Sequence, residues 1–141
     1  MVEFDRTGRF LKAWGKKGNA SGEFDIPHAL VIDKQDRVYV EDRENGRIQV
    51  FDAEGSFLRE WGGLNNPTGL SLSQNQSLYV ADGYATRILK MDVSGNTLGV
   101  FGEGGRWSGQ LGIPHAVAVG AGDEIYVAEL LTWRAQKLVM R

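Results

Sequence analysis

Apolar and polar side chains alternate in short runs along the whole chain, and no window of ten or more residues repeats at a helical period of about 3.6. The runs HALVID, RVYVED, RIQVFD and FLREWG are rich in Val, Ile, Phe, Tyr and Trp, which suit a pleated, half-buried surface, so each predicts a strand. Between the third and fourth runs stands Asp-x-x-Gly, seen as DRTG, DAEG and DVSG. It predicts a tight hairpin whose Gly supplies the positive φ of the turn.

The four runs recur as a unit. VYVEDRENGRIQVFDAEGSFLREWG from Val38 aligns with LYVADGYATRILKMDVSGNTLGVFG from Leu78 and with IYVAELLTWRAQKLV from Ile125. Pro27, Pro67 and Pro114 keep one offset, Tyr39, Tyr79 and Tyr126 another, and Arg47, Arg87 and Arg134 a third. The spacings are 40 and 47 residues, and the difference falls in one connection: 13 positions separate Trp14 from Pro27 and Phe101 from Pro114, but six separate Trp61 from Pro67. GKKGNASG and GEGGRWSG therefore read as loops between units, and neither ends in the Gly-Lys-Ser/Thr of a phosphate cradle. Four antiparallel strands per unit predict an all-β fold, a β-propeller of four-stranded blades. The expected layout is a single module, with residues 1–15 ending one blade, 26–62 and 66–102 forming two blades, and 113–141 starting a further one. The N-terminal segment supplies the back half of a unit and the C-terminal segment stops after a third run, so the two ends complement each other. Because raw sheet edges are otherwise left open, either two chains pair as a homodimer that closes a six-bladed ring or the sequence is a piece of a longer propeller, and the phase of the two ends favours the homodimer.

Composition narrows the function. The 141 residues are 42% hydrophobic and 24% charged, as in one folded soluble domain, and the net charge of −2 gives no footprint for nucleic acid or an anionic membrane. Without cysteine there is no disulfide framework and no thiol nucleophile, and no Gly-x-Ser-x-Gly elbow is present. The segment MVEFDRTGRF is too charged for a secretion signal, and no run approaches the roughly 20 apolar residues of a membrane span.

In a blade the first strand starts, and the second ends, on the same face. Pro27-His28, Pro67-Thr68 and Pro114-His115 therefore share a channel mouth with the loops EDRENGR, ADGYATR and AELLTWR. The recurring arginines are expected to pair with Asp42, Asp82 and Glu129, and Trp14, Trp61 and Phe101 to pack the core. His28 and His115 read either as polar caps of inner strands or as metal ligands. Arg43 has no basic counterpart, Gly83 and Leu130 taking its place, and this sets it apart from the repeated architecture.

The unit resembles the NHL repeat, whose propellers serve mostly as binding platforms. More narrowly, IPHALVIDKQDRVYVEDRENGRIQVFD and NPTGLSLSQNQSLYVADGYATRILKMDVSG resemble the propeller of peptidyl-α-hydroxyglycine α-amidating lyases, over nearly the whole chain but about half of that enzyme's six blades. That resemblance implies zinc held by His28 and His115, Tyr84 as catalytic base and Arg43 as the substrate contact. Thr68 stands where a third histidine would be needed, and the DRENGR unit precedes the DGY unit instead of following it. The expected function is a binding or scaffold module that holds a peptide or protein at the channel mouth, and the alternative is a zinc-dependent amidating lyase that releases a peptide amide and glyoxylate.

Overall fold

The computed structural model describes residues 1–139 and is built from strands and turns, with no helix among them. The end of the fourth predicted segment, residues 140 and 141, lies outside the described residues. A hairpin of β1 (Val2–Phe4) and β2 (Phe10–Ala13) opens the chain. The first complete sheet holds β3 (Pro27–Ile32), β4 (Val38–Asp42), β5 (Arg47–Phe51) and β6 (Phe57–Trp61) in sequence order. The second holds β7 (Pro67–Leu72), β8 (Leu78–Asp82), β9 (Arg87–Met91) and β10 (Thr97–Phe101) in the same way. A three-stranded sheet of β11 (Pro114–Val119), β12 (Ile125–Glu129) and β13 (Arg134–Leu138) completes the described chain. Every pairing is antiparallel, so each sheet is a blade and the fold is a β-propeller.

The alternation read from the sequence sorts side chains between neighbouring blades. Tyr39, Ile48 and Val50 face Leu70, Leu78, Val80 and Met91 across the first joint, and Tyr79, Ala81 and Ile88 face Leu111, Val117, Ile125 and Val127 across the second. Successive residues of a strand point to opposite faces, so one blade feeds two joints. The N-terminal hairpin belongs to this scheme as the outer half of a preceding blade: its Met1 and Trp14, partly buried, pack against the buried Phe24, Val40 and Phe51.

The Asp-x-x-Gly turns hold as read. The amides of Gly8, Gly55 and Gly95 donate to the carbonyls of Asp5, Asp52 and Asp92, at φ of 84°, 85° and 98°. Gly55 and Gly95 carry a second constraint, since a Cβ on Gly55 would stand 2.8 Å from Cδ2 of Trp14, and one on Gly95 would collide with the Trp61 indole. Gly8 has open space around it. Gly8→Ala should therefore cost about 1 kcal/mol of backbone strain, whereas Gly95→Ala should cost about 2–4 kcal/mol through added displacement of Trp61. Urea unfolding of the two variants measures the difference, and equal losses would remove the packing role of Gly95.

Candidate functional site at the propeller mouth

Each inner strand enters the sheet through the same irregularity. The residue before proline holds a positive φ, 57° at Ile26, 61° at Asn66 and 55° at Ile113, a conformation that is strained for a β-branched side chain. The register then shifts between Pro27 and Ala29, between Pro67 and Gly69 and between Pro114 and Ala116. His28, Thr68 and His115 sit within these bulges, which turn a side chain out of the regular alternation.

Hydrogen bonds hold the strained residue in place. The carbonyls of Ile26, Asn66 and Ile113 accept from the amides of Arg43, Gly83 and Leu130 in the rim loops. The carboxylates of Asp42, Asp82 and Glu129 accept the amides of Asp25, Asn65 and Gly112, and each also takes the Nε of its own arginine, Arg47, Arg87 or Arg134, at 2.8–2.9 Å. The acid–arginine pairs expected from the repeat thus fasten the rim to the inner strand. At Glu129 four hydrogen bonds overcome burial and pull the carboxyl down to about 2.

This frame brings the predicted residues to one rim. The rings of His28 and His115 lie 5.2 Å apart, edge to face at 78°, although 87 positions separate them in sequence. His28 is partly buried, and its Nδ1 has no hydrogen-bond partner. Desolvation, then the charges of His115 and Arg43, hold its pKa below the ordinary histidine value, so it is neutral at pH 7. Thr68 is buried between the two histidine strands, and its hydroxyl donates to the Pro114 carbonyl at 2.7 Å. It ties blade to blade.

Arg43 and Tyr84 share a polar cleft of about 390 Å³ with Glu44, Asn45, Asn65 and Asn66. The Arg43 guanidinium is engaged by Glu44 at 2.9–3.0 Å, and the Tyr84 ring is exposed. Glu44 and the three asparagines were not singled out by the sequence because nothing in their spacing distinguishes them from turn residues. Glu41 was not singled out either. It is fully buried at the first joint, where Ala81 and Ala128 occupy the equivalent positions, and neither of its carboxyl oxygens has a hydrogen-bond partner. Burial pushes its carboxyl up to about 8, the negative charge of Asp82 adds to the rise, and the Gly69 amide opposes it without reaching hydrogen-bond geometry.

A zinc site needs at least three protein ligands. The imidazole pair supplies two, and no group of three His, Cys, Asp or Glu side chains able to hold a metal occurs among the described residues. With Thr68 turned to Pro114, one chain does not fit the three-histidine zinc site that the sequence resemblance implied.

Comparison with known proteins agrees with the repeat geometry. The NHL repeat family matches residues 24–51, which run from the end of the first inter-blade loop through β5. One NHL repeat is thus matched, over residues 24–51. Among similar proteins, peptidylglycine alpha-amidating monooxygenase of Rattus norvegicus is 39% identical over 66 residues, 43% of this chain and 7% of that protein. Peptidyl-glycine alpha-amidating monooxygenase B of Xenopus laevis is 28% identical over 146 aligned positions, 92% of this chain and 16% of that protein. Human NHL repeat-containing protein 3 is 40% identical over 65 residues, 44% of this chain and 19% of that protein. The chain thus spans a small part of its curated relatives. Among solved structures, selenomethionine-substituted virginiamycin B lyase from Staphylococcus aureus superposes with a TM-score of 0.71 at 15% identity, over 97% of this chain and 47% of that one. A gluconolactonase from Xanthomonas campestris superposes at 0.68 and 17% identity, over 91% and 48%. At such identities the likeness is one of fold.

Proposed function

We propose that the chain is an NHL-type binding module whose propeller mouth holds a peptide, with His28, Arg43, Tyr84 and His115 as the contacting residues. The observation that carries this reading is the convergence of His28 and His115 from blades far apart in sequence, 5.2 Å from each other. His115 is exposed at the mouth and offers its imidazole to a ligand amide or carbonyl. Arg43 exchanges Glu44 for a ligand carboxylate, a charge-assisted bond worth more than a neutral one. Tyr84 offers an exposed ring for a ligand side chain and a hydroxyl for its backbone.

Acid-ended and amide-ended forms of one short peptide, titrated into isotope-labelled protein and followed by NMR, test this. The expected result is movement of the His28, Arg43, Tyr84 and His115 signals, tighter binding of the acid-ended form, and a loss of about tenfold with Arg43→Ala. Equal affinity for the two forms, or shifts confined to other faces, would overturn the reading.

The amidating-lyase alternative is favoured by the DRENGR and DGY segments and by the 39% identity to the rat monooxygenase. It requires ligands beyond the two histidines of one chain. Stoichiometric zinc that is lost in His115→Ala, together with glyoxylate released from a peptidyl-α-hydroxyglycine, would select it. Absence of both leaves the binding module.

A further inference from the structure

Three cavities of about 340, 200 and 370 Å³ share Met1 and form one trough along the N-terminal hairpin, with Gly15, Phe24, Ile26, Leu30, Ile32 and Val38 in its walls. Its position follows from the repeat. Trp14 lies against Gly55 as Trp61 lies against Gly95, so the hairpin occupies the outer half of a blade whose two inner strands are not supplied at that place. Exposure differs accordingly: Leu30 is 48% exposed, whereas Leu70 and Val117 at the same repeat position are each 8% exposed under the preceding blade.

The other end of the arc presents the matching surface. Tyr39 and Tyr79 fill the two internal joints at 0% and 2% exposure, while Tyr126 at the same position is 41% exposed. On the rim, the Gly46 carbonyl accepts the Leu64 amide of the next linker, and Thr86 lies against Gly102 and Gly104 of the next one. Trp133 holds this position in the third blade with a φ of 56° and is 93% exposed. By the repeat, its counterpart linker is the segment of Gly15 to Phe24 that walls the trough.

We infer that β11 and β12 of a second copy fill the trough, each copy serving the other, so that Tyr126 and Trp133 of one chain seat against Leu30, Ile32 and Gly15 of its mate. A second copy is the occupant because the third blade of the same sequence presents the face with which the first two blades fill the joints after them, Tyr126 matching Tyr39 and Tyr79.

One strand must move for this to happen. β1 and β13 are both third strands, because Val2, Glu3 and Phe4 hold on β2 the register that Gln49, Val50 and Phe51 hold on β6. β13 is fastened by Arg134 to Glu129, Arg106, Trp107 and Gln110, and by Gln136 to Gln110 and Glu129. β1 is held by β2, the Met1 amine on the Trp14 carbonyl and an exposed Glu3–Lys12 ion pair at 3.2 Å, which contributes little. β1 therefore yields, and β13 of the second copy takes its edge of β2, setting Lys137 opposite Lys12.

The absence of cysteine makes the test clean. K12C and K137C variants, mixed and oxidised, are expected to give a disulfide-linked dimer containing one chain of each. Light scattering of the unaltered chain at micromolar concentration should return the mass of two chains. Tyr126→Asp and Leu30→Asp, at positions exposed in one chain, should return one chain, with dissociation constants raised about tenfold or more. A single-chain mass for the unaltered protein overturns the inference, as does a mass that climbs past two chains. A two-chain mass without the mixed disulfide overturns the strand exchange and with it this seat. If either Asp variant loses its circular dichroism spectrum, the mixed disulfide decides alone.

Discussion

Arg47→Ala is expected to lower stability by about 3–5 kcal/mol, more than the same change at Arg87, because it leaves a buried carboxylate without its counter-ion. All five guanidinium donors of Arg47 are used: Nε on Asp42 at 2.8 Å, Nη1 on the Asn19 carbonyl and Glu60, and Nη2 on the carbonyls of Ala20 and Glu23. Asp42 is fully buried, and after the substitution it would keep the Asp25 amide, Asn45 and Gln49 but no positive charge. Three loop carbonyls would each lose a donor at the same time, those of Ala20 and Glu23 keeping the Glu23 amide and Gln49 and that of Asn19 keeping none. Arg87 faces the equally buried Asp82, yet it is partly exposed and has no loop to clamp, since the connection before that blade is seven residues shorter. Water can reach the space that Arg87 vacates. Urea unfolding of Arg47→Ala, Arg87→Ala and Arg47→Lys separates the contributions. The lysine variant should recover only a minor part of the loss, because a point charge cannot reach acceptors spread around a planar fork. Equal losses at Arg47 and Arg87 would mean that the loop clamp adds nothing.

The second large effect is a pH dependence located at Glu41. Its carboxyl has an ordinary value of 4.5 and is raised to about 8 by burial between blades, so the folded chain keeps a proton that the unfolded chain releases. Stability from this group is complete below about pH 4.5, declines as pH rises through the window, and is gone above about pH 8. The decline can be as steep as about 1.4 kcal/mol per pH unit. Glu41→Gln keeps the shape without the proton and should abolish that slope. Glu41→Ala should do the same, matching the alanines that the other two units carry in this position. His28, whose pKa is lowered, contributes with the opposite sign, gaining stability as pH rises toward the ordinary histidine value. The decisive quantity is therefore the difference between the unaltered chain and Glu41→Gln across pH 4–9. A flat difference would show that Glu41 is hydrated or ion-paired in solution.

The charged run of EDRENGR shows how far the sequence could be read. Its place on the mouth face followed from strand order alone, and so did the pairing of Arg47 with Asp42. Its separate fates did not: Glu41 is buried in a joint, Asp42 is buried under the rim, and Arg43 pairs with Glu44 in the cleft beside Tyr84. Neighbours in a strand point to opposite faces, but which face is packed depends on the blade beside it, and a pattern of charges along one strand does not contain that blade.

The sequence by itself determined the blade architecture, because a two-residue alternation, a turn glycine and a repeat of 40 to 47 residues are local properties that survive without any knowledge of the partners. It also determined the mouth-facing positions of His28, Thr68 and His115, through the proline before each. Only the tertiary structure decided that the two imidazoles touch, that Thr68 is spent on the Pro114 carbonyl, and that Glu41 is stranded without a partner. These are distances between strands some 40 to 90 positions apart, set by how tightly side chains of different volume let the inner strands approach one another, and no single strand carries that information.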